Sequence, residues 1–132
     1  NSPDAFSKRP KILLSSYQGI DPDLTLMMQL DEAFRAKGYQ VFIAGGNLRM
    51  AKNGLQQIYG FLNQCDYLIL LLSTLAACSE MVTEEVRLAK SLHETRLDRK
   101  PLIIPIRINC PVSLLNHDLR GYLRGTPHLE WR

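Results

Sequence analysis

The chain has 132 residues, 45% of them hydrophobic and 22% charged, with 16 basic against 13 acidic side chains and a net charge of +3. A single domain of this size buries about two-thirds of its unfolded surface; the apolar content excludes disorder, and 8 Gly with 7 Pro exclude collagen-like and low-complexity chains. The longest apolar stretch, Tyr67 to Leu72, is far shorter than the roughly 20 residues of a bilayer span, and so mild a charge leaves no footprint for nucleic acid or a membrane surface.

Residues 1–10 are polar, contain two prolines and read as a linker, so the folded domain is expected over 11–132. The chain opens Asn1-Ser2-Pro3 without a signal-peptide pattern, which reads as a fragment of a longer protein. Lys11 to Ser15 is a short apolar run that ends in Ser15-Ser16-Tyr17-Gln18-Gly19. Asp21-Pro22 looks like a helix cap with proline at the first helical position. Leu24, Met27, Met28, Leu30 and Phe34 then recur at helical spacing until Lys37 and Gly38. Gln40 to Ile43 is a second strand, residues 44–53 a loop, and Gly54 to Asn63 a second helix carrying Leu55, Ile58, Tyr59 and Leu62.

Asp66 to Leu72 is apolar without alternation, the pattern of a strand buried on both faces. Ser73 to Cys78 reads as a loop and residues 79–95 as a helix. Pro101 to Ile106 is a fourth strand, and Pro105 favours an outer position for it. Val112 to Leu123 reads as a last helix, with a fifth strand at His128 to Trp131. Strands alternating with helices predict an α/β fold: a flavodoxin-like three-layer sandwich, with a parallel five-stranded sheet and helices on both faces. With strand order 2-1-3-4-5 taken as an assumption, the ligand crevice lies between the carboxyl ends of the first and third strands, faced by the loops at Ser15 and Ser73.

Several functions announce themselves in such loops and are missing here. No GxGxxG or GxxxxGK[ST] glycine loop is present, and no GxSxG elbow. The acidic pair and the strand-three Asp of receiver domains are replaced by Ser15-Ser16 and Leu72-Ser73, and Ser15 to Gly19 is a poor flavin-phosphate loop. His93, His117 and His128 lack ligand spacing and read as surface or structural side chains. The 3 cysteines, Cys65, Cys78 and Cys110, are odd in number and lack CxxC spacing, which implies reduced thiols in a cytoplasmic setting. Cys78 reads as a small packed thiol.

The helix over 79–95 carries a carboxylate on the wrong side. At about 100° per residue, Met81, Val82, Val86, Leu88, Ala89 and Leu92 share one face, and Glu80, Glu84, Arg87, Ser91 and Glu94 the other. Glu84 points to water; Glu85 falls within the apolar arc. A buried ionised carboxylate is costly unless the fold compensates it or opens it to a crevice. Either Glu85 sits at the stripe edge and pairs with a structural cation, or it stands at the rim of the strand-end crevice, where it would stabilise developing positive charge.

The ordered motifs resemble those of Toll/interleukin-1 receptor (TIR) domains, most closely the NAD+-cleaving ones of bacteria, from about Lys11 to Ile106 and onward to Trp131. Ile12 to Ser15 with Gly19 and Asp21 is similar to the family's first box, and Gly38 to Phe42 to its entry into the second strand. Gly54, Ile58, Leu62 and Cys65-Asp66 follow the spacing of its BB loop and second helix. Leu72-Ser73 through Ser79 to Val86 resembles its strand, Ser, short loop and Ser-x-Trp-x-x-x-Glu-aliphatic pattern. Three departures stand out: Met81 replaces the Trp, Ala44-Gly45-Gly46 lacks an acidic residue, and the BB loop lacks the Arg-Asp…Pro-Gly form of receptor adaptors.

The resemblance implies NAD+ nucleosidase activity with Glu85 catalytic, the nicotinamide–ribose bond being broken in a bacterial defence or signalling protein activated by self-association. NAD+ is then a substrate and no cofactor or metal is expected. Ser16, Tyr17 and Gln18 are implied to line the nicotinamide pocket and Asn47, Leu48 and Arg49 its mouth, with Ser79 and Met81 completing the substrate-binding set. Tyr17 fits core packing equally, Ser79 fits a helix N-cap, and residues 47–49 fit a loop without ligand contact. Implied partners are other TIR copies and fused sensor domains. Two other readings stay open: a non-enzymatic TIR scaffold for protein–protein assembly, and a nucleoside deoxyribosyltransferase-like enzyme, which also uses a glutamate.

Overall fold

The computed structural model describes residues 9–17, 23–44 and 52–131. Five strands, β1 (Lys11–Ser15), β2 (Gln40–Ala44), β3 (Tyr67–Leu72), β4 (Leu102–Ile108) and β5 (Leu129–Trp131), form one sheet in the order β2-β1-β3-β4-β5. All four pairings are parallel. Helices α1 (Asp23–Ala36), α2 (Gly54–Gln64), α3 (Thr74–Ala77), α4 (Glu80–Thr95) and α5 (His117–Tyr122) connect them.

Side chains alternate along each strand, so each apolar run supplies both faces of the sheet. Ile12 and Leu14 of β1, with Ile69 and Leu71 of β3, pack with Leu26 and Met27 of α1. Leu13 and Leu68 face the other way, against Ile58 and Leu62 of α2 and Ala89 and Leu92 of α4. Above them Leu70 and Leu72 pack with Ala76, Ala77, Val82, Val86 and the α5 residue Leu119. The α/β three-layer sandwich expected from the sequence is therefore present.

β1 lies between β2, registered Lys11↔Gln40 to Ser15↔Ala44, and β3, registered Ile12↔Tyr67 to Ser15↔Leu70. The chain steps from β1 out to β2 and back across β1 to β3. In open α/β sheets such a reversal is where ligands bind; here it falls where Ser15-Ser16 and Leu72-Ser73 leave the sheet, termed the crevice end of the strands. At the opposite pole Asp66 fastens three strands together. Its carboxylate accepts from the Lys11 backbone N–H at 2.8 Å and the Lys100 ammonium at 2.9 Å. Its own N–H donates to the Lys11 carbonyl at 2.7 Å, and its carbonyl accepts from Leu102 at 2.9 Å.

Four expectations need correction. Ser73 to Cys78 is not all loop: Thr74–Ala77 forms the single turn α3, with Ser73 capping it and Ala76 and Ala77 fully buried. β4 is an interior strand, with β3 and β5 on its two sides. Pro105 is tolerated because β5 begins opposite Ile106, so no β5 residue pairs with Pro105 itself. The last helix is split into a 3₁₀ turn, Val112–Leu114, and α5, whose N-cap Asn116 accepts from the Leu119 N–H at 2.7 Å. Cys78 is exposed, whereas Cys65 and Cys110 are buried; all three are free thiols.

Candidate functional site

α4 starts where Ser79 turns the chain from α3, its hydroxyl accepting the Val82 N–H at 3.2 Å. Of the two roles open for Ser79, the geometry displays the capping one. The buried stripe of α4 is Val82, Glu85, Val86, Ala89 and Leu92. Glu85 is therefore an inward-facing position, and its exposure is 0%. Glu85 is not isolated, since it has an interaction with another group. Glu84, one residue earlier, forms an exposed ion pair with Arg87.

Met81 does not join that stripe. It is 40% exposed, a correction to the helical wheel, because the stripe centres between Glu85 and Val86 and leaves Met81 on its flank in the first turn. Residues four apart stack on one side of a helix, so Met81 stands one turn above Glu85 toward solvent.

The sheet supplies the facing wall. Ala89 packs in the same cluster as Leu13 and Ala44. One turn toward the amino end of α4, about 5.4 Å, nearly matches two residues along β1, about 6.6 Å. Glu85 and Ser15 thus both stand at the crevice end of this layer, and Ser15 is wholly buried. Ser16 is 1% exposed; its N–H donates to the Ala44 carbonyl at 2.9 Å and its hydroxyl points to the Met27 sulfur at 3.6 Å. Tyr17 is half-buried against the cluster that contains Val82 and Val86, the residues flanking Glu85 on α4. The fold thereby brings Ser16, Tyr17, Ser79, Met81 and Glu85 to one end of the sheet. Gln18, Asn47, Leu48 and Arg49 lie outside the described residues.

One carboxylate escaped the sequence reading. Asp23, in the first turn of α1, is 4% exposed. Burial pushes its carboxyl above the ordinary Asp range, against the pull of the Ser73 hydroxyl and its own backbone N–H. An acid in the first helical turn is normally explained by the helix dipole and so draws no notice. The missed signal was spacing: Asp23 precedes the buried Leu26 and Met27 by three and four residues, as Glu85 follows Met81 and Val82.

Two histidines lie near backbone carbonyls, His93 Nδ1 3.3 Å from that of Pro101 and His128 Nε2 3.4 Å from that of Leu123. Among the described residues no group of His, Cys, Asp or Glu is arranged to hold a metal ion, and no helix is long and apolar enough to cross a membrane.

A family model described as "TIR domain" matches residues 15–129. Among solved structures the chain is similar to one titled "Structure of the activated Roq1 resistosome directly recognizing the pathogen effector XopQ (TIR domains)". The TM-score is 0.62 at 19% identity, over 86% of this chain and 68% of that one. No curated protein matches the chain.

Proposed function

The chain is a member of the TIR domain family, and on that premise we propose that it is an NAD+ nucleosidase in which Glu85 is the catalytic residue. The observation that carries this reading is the complete burial of Glu85 at the crevice end of α4, in the second turn of the helix that follows β3. A carboxylate is costly to bury even when partnered, and a functional demand is one reason for a fold to keep it where leucine would fit.

The chemistry needs only one carboxylate. Glycosidases use two because the leaving oxygen must be protonated. In NAD+ the scissile bond joins ribose C1′ to a cationic pyridinium nitrogen. When it breaks, the electron pair leaves with nicotinamide, which departs as a neutral base and requires no acid. The ribose is left with oxocarbenium character, and an anion held beside its hydroxyls lowers the energy of that state. Glu85 would accept hydrogen bonds from the ribose diol and offset the charge. Water then adds to C1′ and sheds a proton; alternatively an adenine nitrogen closes the ring. Ser16 and Tyr17 would border the nicotinamide end, and by the family resemblance alone Gln18 is assigned to the pocket and residues 47–49 to its mouth.

By the same family premise, activity depends on self-association, and the domain serves a cytoplasmic defence or signalling protein. Nicotinamide release measured against protein concentration tests both halves of the proposal. A supralinear rise that disappears in Glu85→Gln and persists in Glu84→Gln is the expected result. Release unaffected by Glu85→Gln overturns it. Met81 favours a second reading, a non-enzymatic scaffold, because an exposed thioether stands where the resemblance calls for an aromatic wall. Concentration-dependent assembly without nicotinamide release selects that reading.

A further inference from the structure

α5 separates two cavities of different charge. On the side toward α4, Asp118 borders one where Glu80, Glu84 and Arg87 mix both signs. The other, of about 430 Å³, is walled by Arg107, Arg120, Arg124, Thr126 and His128. Three arginines and a histidine meet there, and no carboxylate lines it. In a chain with 16 basic and 13 acidic side chains, mixed signs would be the ordinary finding. None of these residues belongs to the site around Glu85.

The cations reach the cavity from separate places: Arg107 from β4, Arg120 from α5, Arg124 and His128 from the segment that leads into β5. Arg107 is paired with Glu130 at 2.8 Å and donates to the Cys110 carbonyl at 2.8 Å, while its buried Nε has no acceptor among the described residues. Arg120 Nη2 donates to the Ser113 and Leu115 carbonyls at 3.1 and 3.2 Å. Those bonds orient the guanidinium and leave its charge without a counter-ion. The Arg124 side chain has no hydrogen bond or ion pair among the described residues. A role limited to the α5 dipole does not account for this, because α5 has only 6 residues and Arg107 and His128 lie off it.

We propose that this cavity binds the phosphate group of a small ligand. Like charges gathered around one concavity repel one another, and an anion between them turns that repulsion into attraction. Arginine forks match phosphate oxygens by paired, charge-assisted bonds, and phosphate has enough oxygens to engage Arg120, Arg124 and the Thr126 hydroxyl together. The volume lies within the roughly 300–1,000 Å³ of small-molecule sites, so a bare phosphate leaves room for the remainder of an ester. Leu115 and Leu123, also on the wall, give that remainder an apolar surface.

Calorimetric titration of the whole chain at low ionic strength, with ribose 5-phosphate, inorganic phosphate and ribose as probes, tests this. Ribose 5-phosphate is expected to bind saturably and ribose not at all. Arg124→Ala should weaken binding by about tenfold or more, the effect of losing a charge-assisted bond. Arg99→Ala, which removes the same charge elsewhere, should change it by less than about twofold. Arg120→Ala should match Arg124→Ala; if it does not fold, the exposed and unpartnered Arg124 carries the comparison. Inorganic phosphate binding about tenfold more weakly than the ester assigns the site to a phosphate ester, and equal binding assigns it to free phosphate. The proposal is overturned if neither phosphate probe binds saturably, if binding survives Arg124→Ala, or if Arg99→Ala weakens it equally.

Discussion

Met81 and Glu85 are one turn apart on the same side of α4, yet Met81 is 40% exposed and Glu85 is fully buried. The step from solvent to interior is made within a single turn. An aromatic ring at the outer position would roof the carboxylate, and a thioether does so poorly. Met81→Trp is therefore expected to lower KM for NAD+ by several-fold and to raise turnover, with stability within about 0.5 kcal/mol because the site is on the surface. Kinetics of nicotinamide release and a thermal melt check both parts.

Asp66 is held below the ordinary carboxylate range: burial acts to raise it, but the Lys11 N–H, the Lys100 ammonium and Arg96 together outweigh that. A depressed folded-state pKa adds stability above the unfolded value near 4, and that stability is lost as pH falls through the folded value. Asp66→Asn is expected to cost about 1 kcal/mol at pH 7, a figure kept small by solvent screening of Lys100. The difference from the unaltered chain should shrink as pH falls below about 4. Urea melts across pH measure this.

Arg96 donates to two carbonyls at the carboxyl end of α2, those of Leu62 at 3.1 Å and Cys65 at 2.9 Å. Arg96→Ala leaves both at the buried end of α2 and should cost about 2 kcal/mol, whereas Arg99→Ala, on an exposed side chain, should cost well under 1. Chemical denaturation of the two variants supplies the comparison.

Leu62 has no exposure and packs with Leu13, Leu68 and Ala89 beneath the crevice. Leu62→Ala should cost about 3 kcal/mol and lower Tm by over 10 °C, by lost transfer energy plus the residual cavity. Its kcat at a temperature where the chain stays folded should be little altered, since the cavity lies a layer below the site.

The three thiols should react in two classes. Burial pushes the Cys65 thiol up to about 12 and also raises that of Cys110, while Cys78 is exposed. Thiolate is the reactive form, so a disulfide reagent at pH 8 should label Cys78 promptly and the other two only after unfolding. Prompt labelling of more than one thiol in the native protein contradicts the packing described.

Much of this was legible in the sequence, for reasons that differ by element. β1 appears as Lys11–Ser15 because an apolar run with no alternation and a polar stop has few other meanings in a βα pattern. Glu85 was visible because a sixteen-residue helix repeats its stripe often enough to make one intruder stand out. α3 was not visible, as four residues of Thr-Leu-Ala-Ala are too few to show a period. Pro105 misled because its penalty depends on where the neighbouring strand begins, which is a property of β5 and not of β4. Asp23 was hidden because an acid in the first turn of a helix is ordinary and draws no notice. The α4 end of the site was marked in the sequence by the place of Glu85 within the stripe, while its complete burial is a finding of the structure.

The Asp66 fastening has a consequence for how such a domain can change over time. By tying β1, β3 and β4 together at the pole away from Glu85, it lets the base of the sheet hold its register without help from the crevice loops. Those loops are then at liberty to drift in length and chemistry, so new ligand preferences can arise in descendants of this chain while the scaffold beneath them is inherited intact.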